Sequence, residues 1–259
     1  MTALVRYTVE GSVARLTLDS PHDRNALSTA LVDQLHQGLT DATEEAGVRA
    51  VVLGHTGGTF CAGADLAQAS SGANPTDPTT AAADRARELT RLLRRILELP
   101  VPVIAAIDGH VRAGGLGLVG ACDIAVAGHS STFALTEARI GVAPSIISLT
   151  LLPKMTTRAA GRYFVTGEKF GAAEAADLGL ITIAAEDVEA IVTALTAEIG
   201  KASPQGLAAS KALTTAPLLA AFDSDAEALT RQSAELFVSE EAREGMLAFL
   251  QKRPPSWVR

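Results

Sequence analysis

Cysteine is scarce in this chain of 259 residues: Cys61 and Cys122 are its two thiols, and their spacing is not that of a metal site. A disulfide framework is therefore set aside, and both thiols read as small space-filling groups. Long apolar runs are missing too. Val101–Ile107 and Ile146–Leu152 stop well short of the roughly 18 residues that a bilayer demands, each bounded by proline, glycine or charge. A positive surplus is also lacking, since the formal net charge is −7 with no dense basic stripe, which argues against nucleic acid as a partner. Arg91, Arg94 and Arg95 alternate with Leu92, Leu93 and Ile96, the wet face of an amphipathic helix. No G-x-S-x-G elbow, P-loop lysine motif or H-E-x-x-H pair occurs, and His22, His36, His55, His110 and His129 are scattered without ligand spacing. His110 is read as structural. The opening MTALVRYTVEG alternates like a strand and lacks a signal-peptide pattern, so the expectation is a cytoplasmic protein without a membrane partner.

What is present is an ordinary globular share of hydrophobic residues, 47 %, arranged in alternating strand and helix patterns. Leu4–Glu10 and Val13–Leu18 read as a hairpin turning at Gly11-Ser12. Ser28 caps a helix to about Glu45, with Leu31, Val32, Leu35 and Leu39 on one face. Ala50–Leu53 is a buried strand, and Gly54–Asp65 a glycine-rich loop. Ser70–Thr80 reads as a surface loop, and Ala81–Leu99 as a helix stopped by Pro100. Val101–Ile107 is a second buried strand leading into a glycine loop from Asp108 to Gly117, followed by strands at Asp123–Ala127 and Thr132–Ala134. Beyond Ile146 the pattern is almost wholly helical to Leu250, with caps at Ser203 and Ser239. The fold class is α/β: repeated ββα units followed by helices. Leu229, Leu236, Phe237, Met246, Phe249 and Leu250 form broad apolar faces that suit either a neighbouring subunit or intrachain packing.

Two glycine loops follow buried strands, Gly57 through Asp65 and Asp108 through Gly117. Glycine lets a backbone approach a ligand closely, and amides opening a helix lack partners within it. Two such turns can aim one N–H each at a single oxygen, the arrangement that holds an oxyanion. Tight turns without chemistry produce similar stretches.

Several segments carry a specific likeness. They are Arg24-Asn25-Ala26-Leu27, Phe60-Cys61-Ala62-Gly63-Ala64-Asp65-Leu66, Ala105 to Asp123, Phe133 to Gly141 with Pro144, Thr166-Gly167, Ala175 to Leu180, Glu244-Gly245-Met246, and Phe249 to Pro254. In this order they resemble the crotonase (enoyl-CoA hydratase/isomerase) superfamily over nearly the whole chain. The resemblance implies a ClpP/crotonase-like spiral core over residues 1–200 and a C-terminal helical trimerisation region over 201–259. It implies an acyl-CoA thioester as substrate, coenzyme A as part of that substrate, no tightly bound cofactor, no metal, and a homotrimer or dimer of trimers. Ala64 and Gly114 match the two backbone donors of the family's oxyanion hole. Arg24, Ala26, Ala62, Ala64 and Leu66 fall where the family contacts CoA, and Lys252 where a C-terminal lysine reaches a phosphate.

Glu137, in Thr136-Glu137-Ala138-Arg139-Ile140-Gly141, matches one of two glutamates that hydratases of the family use, whereas the other would fall at Gly117. The stretch after the proline, Pro144-Ser145-Ile146-Ile147-Ser148, also departs from the family's glycine-rich pattern. Together with Gly114 to Asp123 it looks like the branch acting on 3-methylglutaconyl-CoA. The expected reaction is hydration of a 2-enoyl-CoA through an enolate, with double-bond isomerisation by one carboxylate as the alternative. A non-catalytic CoA-binding homologue is a third reading. Glu168 and Asp65 stand in reserve as acids, although Asp65 is expected to cap the helix after its loop.

Overall fold

The computed structural model describes residues 2–66 and 77–258. Strands β1 (Val5–Glu10) and β2 (Val13–Leu18) form the expected hairpin, paired antiparallel from Val5↔Leu18 to Glu10↔Val13. Strand β2 alternates half-buried and buried residues, as a strand with one face on the core must. Next in the six-stranded sheet come β3 (Ala50–His55), β5 (Val103–Ile107), β7 (Ile124–Gly128) and β10 (Ile183–Ala185), all parallel to β2. Strand β5 is buried throughout, because helices cover both faces. Val51, Leu53, Val103 and Ala105 share one core with Leu31 and Leu35 of α1 (Thr29–Glu44) and Leu93 of α2 (Pro78–Glu98). Val52, Ile104 and Val126 point the other way, towards Val188 and Val192 of α7 (Val188–Ile199).

A second sheet has the order β4 (Thr59–Cys61), β6 (His110–Arg112), β8 (Thr132–Ala134) and β9 (Phe170–Gly171). Strands β3, β5 and β7 are each followed at once by a short strand of this sheet, which is the recurring ββ half of the ββα unit. The segments read as loops, Gly54–Asp65 and Asp108–Gly117, each contain a strand, and the region read as almost wholly helical after Ile146 contains β9 and β10. Runs of two or three residues are too short to show a period of two, and their pairing is decided by neighbours distant in sequence. Phe60, Cys61, Val111 and Phe133 are buried in consequence.

Helix α1 carries the expected Ser28 cap, with Oγ accepting from Leu31 N at 3.3 Å. Helix α2 begins earlier than expected, because Pro78 takes the first helical position and the Asp77 carboxylate accepts from Thr80 N at 3.3 Å. Residues 78–80 of the segment read as a loop are therefore helical, and its residues 70–76 lie outside the described ones. Helix α3 (Gly114–Ala121) packs on α4 (Ser145–Leu151). The short helices α5 (Thr157–Thr166) and α6 (Ala172–Asp177) flank β9. Helix α8 (Pro204–Phe237) lies along α2 and α4, and α9 (Glu240–Leu250) ends the fold, both with the expected serine caps.

One buried ion pair ties α8 to the core. Lys211 Nζ sits 2.8 Å from Asp123 Oδ2 and donates to the carbonyls of Ile96 (2.8 Å) and Val101 (3.0 Å). The same Asp123 oxygen accepts from Val103 N at 2.7 Å. Burial pulls the Lys211 pKa down and the Asp123 charge opposes this. Among the described residues no helix is long and apolar enough to cross a membrane.

Candidate active site

The parallel strands β4, β6 and β8 send their C-terminal ends to one side, and three loops leave from there. Register fixes their neighbourhood: Cys61 pairs with Val111, and Arg112 with Ala134. Residues 62–64, 113–114 and 135–137 thus emerge side by side, at the carboxyl ends where open parallel sheets place their ligands.

The first loop is held by Asn25, which is fully buried. Its Oδ1 accepts from Ser20 N at 2.7 Å, and its Nδ2 donates to the carbonyls of Thr56 (3.1 Å) and Thr59 (2.8 Å). Arg24 and Asn25 both adopt the left-handed region, with φ of 55° and 53°, which reverses the chain beside the 62–64 segment. Two backbone bonds then dock the segments, Ala62 N to Arg24 O at 3.1 Å and Leu27 N to Gly63 O at 2.8 Å. Arg24 is exposed, and Ala26, Ala62 and Leu66 are half-buried along this seam.

Gly63 and Gly114 meet across it. A Cβ on Gly63, whose φ is 88°, would lie 2.8 Å from Ala113 Cβ and 3.0 Å from Gly114 N. A Cβ on Gly114 would lie 3.6 Å from Gly63 Cα and 3.8 Å from Ala64 N. The amide nitrogens of Ala64 and Gly114 are therefore neighbours. Among the described residues, neither donates to another backbone carbonyl. Gly114 opens α3, where the N–H has no partner in the helix and the dipole is positive. Ala113 is strained to aim it: its φ is 47°, while its N–H donates to Ala134 O at 3.0 Å and its carbonyl accepts from Leu116 N at 2.8 Å. Such a conformation costs on the order of 1–3 kcal/mol, and the surrounding bonds hold it.

Glu137 begins a 3-10 turn, Glu137–Ile140, three residues after β8. The residue is only 8 % exposed, and among the described residues Oε2 has no hydrogen-bond partner. Burial pushes its pKa up from the ordinary 4.5 to about 7, with a backbone N–H opposing the rise. A carboxyl poised near neutrality can both take and give a proton.

The structure separates the remaining candidates. Cys61 and Cys122 are buried thiols pushed up to about 12, far from a nucleophile's range. Glu168 is a half-buried partner of Arg162 at 2.6 Å, which holds its carboxyl below the usual range. His110 is exposed and its Nδ1 lies 3.0 Å from Thr132 Oγ1. Lys252 is exposed in the turn that closes α9, its backbone N–H donating to Phe249 O at 3.1 Å. At Gly117 a Cβ would overlap Ile147 Cγ2 and lie 3.3 Å from Leu93 Cδ1, so the position has neither a carboxylate nor room for one. Sequence reasoning did not single out Asn25 or Ala113 as positioning groups, because the first acts through three distant partners and the second only through its backbone.

A sequence model of the enoyl-CoA hydratase/isomerase family matches residues 8–259. The chain belongs to that family. A Bacillus subtilis (strain 168) protein named "Probable enoyl-CoA hydratase" is 33 % identical over 257 residues, covering 98 % of each chain. A Rhodobacter capsulatus protein of the same name is 35 % identical, covering 98 % of this chain and 97 % of the other. The crystal structure of an enoyl-CoA hydratase from Mycobacterium avium superposes with a TM-score of 0.91 at 65 % identity, over 99 % of this chain and all of that one. The crotonase fold expected from the sequence is thus the fold observed.

Proposed function

We propose that this protein is an enoyl-CoA hydratase, adding water across the double bond of a 2-enoyl-CoA to give a 3-hydroxyacyl-CoA. The reading is supported by the buried Glu137 carboxyl, whose Oε2 has no hydrogen-bond partner among the described residues and whose pKa is pushed up to about 7, on a loop beside two amides that, among those residues, donate to no backbone carbonyl. In its ionised form Glu137 takes a proton from water as the oxygen adds at Cβ. The π electrons move to the thioester oxygen, and the N–H groups of Ala64 and Gly114 hold the enolate. Each such donor is worth about 2.7–4 kcal/mol of activation free energy. Glu137, now protonated, returns a proton to Cα, so one carboxyl serves both steps.

Arg24, Ala26, Ala62 and Leu66 line the seam along which the CoA part would lie, and Lys252 supplies a cation for a phosphate. The reading includes coenzyme A only as part of the substrate, residues 1–200 as catalytic core and 201–259 as helical assembly region. It also includes a homotrimer or dimer of trimers in the cytoplasm. The exposed Leu247, Phe249 and Leu250 on α9 support assembly.

The sealed position at Gly117 favours a second reading, isomerisation of a 3-enoyl-CoA to the 2-enoyl isomer. That reaction needs one carboxylate to move a proton between two carbons. Crotonyl-CoA and a 3-enoyl-CoA separate the two readings by the absorbance of the conjugated thioester. Hydration removes the signal from the first, and isomerisation creates it from the second. Glu137→Gln should lower turnover roughly tenfold or more with CoA affinity nearly unchanged; full turnover in that variant moves the acid–base role away from Glu137, and no turnover of either substrate by the natural protein refutes both readings.

A further inference from the structure

We propose that the C-terminal helix α9 is the positioning element for Glu137, acting through backbone-to-backbone contact at Gly245 and Gly141. The inference rests on Glu137 as the acid–base group and adds the question of what holds it. Glu137 lies on a 3-10 turn of four residues, which has little rigidity of its own. One side of this turn is covered by α9, more than a hundred residues later in the chain.

The fit there leaves no space for a side chain. A Cβ on Gly245 would lie 2.5 Å from the carbonyl carbon and oxygen of Ile140 and 2.6 Å from its Cα. A Cβ on Gly141, whose φ is 79°, would lie 2.6 Å from Glu241 C and 2.7 Å from Ala242 N. All of these are backbone atoms, which cannot swing aside as a side-chain tip can. Gly141 also closes the turn, and Val142 N donates to Glu137 O at 3.1 Å, so displacement at 140–141 is carried directly to residue 137.

Helix α9 is itself clamped. Arg253 donates to both Glu244 carboxylate oxygens, at 2.7 and 2.8 Å, and Ser256 N donates to the first of them at 2.8 Å. The tail is thereby folded back onto the helix that backs the turn.

Charge does not explain the contact. The turn's Arg139 donates its Nε to Thr166 O at 2.9 Å. On α9, Glu244 is taken by Arg253, while Glu240, Glu241 and Arg243 are exposed. None of these side chains contributes to the shift at Glu137, which burial raises. Helix α9 thus acts by fixing the backbone of the turn that carries Glu137.

The test substitutes Gly245→Ala in the full-length protein and follows the Glu137 carboxyl by carbon-13 NMR titration, assigned against Glu137→Gln. Crotonyl-CoA turnover is measured alongside. The expected result is a Glu137 midpoint lowered by roughly one pH unit or more as water reaches the carboxyl. A kcat reduced about tenfold or more with KM changed less than about twofold should accompany it. Gly161→Ala, where nothing lies within 4 Å of the added Cβ, should change none of these. A merely structural role would lower Tm and leave the midpoint in place, and that outcome overturns the inference. If Gly245→Ala does not fold, Glu244→Gln releases the clamp and should move the midpoint the same way; an unmoved midpoint there overturns the inference equally. Loss of activity in Glu137→Gln with an unmoved midpoint in Gly245→Ala would leave the acid–base assignment standing and remove only the role of α9. Full activity in Glu137→Gln would remove both.

Discussion

Replacing the buried acid should stabilise the protein, and by an amount that depends on pH. Burial holds the Glu137 pKa at about 7 instead of the ordinary 4.5. Below the lower value the carboxyl is protonated both folded and unfolded, so it costs nothing. Between the two values the unfolded chain releases its proton while the folded protein keeps it, and stability falls as pH rises. Above the upper value the folded protein carries a buried, unpaired charge and the whole penalty stands. At about 1.4 kcal/mol per pH unit, the interval is worth roughly 3 kcal/mol. Glutamine has the shape of the neutral acid and never ionises, so Glu137→Gln escapes the penalty. Its advantage over the natural protein should be near zero at pH 4.5 and reach roughly 3 kcal/mol by pH 8. For a chain of this size that corresponds to a Tm difference on the order of 6–10 °C. Differential scanning fluorimetry on both proteins at matched buffers reads it, because every other titrating group cancels in the difference. A Tm difference that stays flat from pH 4.5 to 8 refutes the argument, since it means that Glu137 titrates as a solvated side chain.

Three more outcomes follow from the packing. Gly117→Ala forces a methyl into Ile147 Cγ2 and should cost about 1–3 kcal/mol; in an Ile147→Ala background, which lacks Cγ2, the same substitution should cost less, as urea midpoints will show. Lys211→Ala leaves the Asp123 carboxylate buried without its cation and should cost about 3–5 kcal/mol, read as a Tm drop on the order of 10 °C. Asn25→Ala strands Ser20 N and two carbonyls, and should cost roughly 2–4 kcal/mol in urea. It should also lower kcat per folded molecule, because the 62–64 loop loses its support; unchanged kcat would detach Asn25 from the site.

Features governed by neighbours along the chain were readable directly. The β1–β2 hairpin needs only alternation and a turn, and the caps at Ser28, Ser203 and Ser239 need only a hydroxyl three residues from an N–H. The short strands β4, β6 and β9 were not readable, since two or three residues carry no period and their pairing comes from partners tens of residues away. Glu137 was found through its family resemblance. By its own surroundings, Glu-Ala-Arg-Ile reads as a solvated turn. Lys211 looks like any helical lysine until α8 is laid along α2.

The sequence by itself determined the α/β class, most helix starts, the two glycine loops and the acid to be tested, because each depends on local stereochemistry or on a motif in fixed order. Only the tertiary structure decided that Ala64 and Gly114 face one another, that Glu137 is buried, and that Ile147 occupies the space before Gly117. Those facts arise from strand register and helix packing between distant segments, and desolvation, which sets the acid's pKa, exists only once those segments close around it.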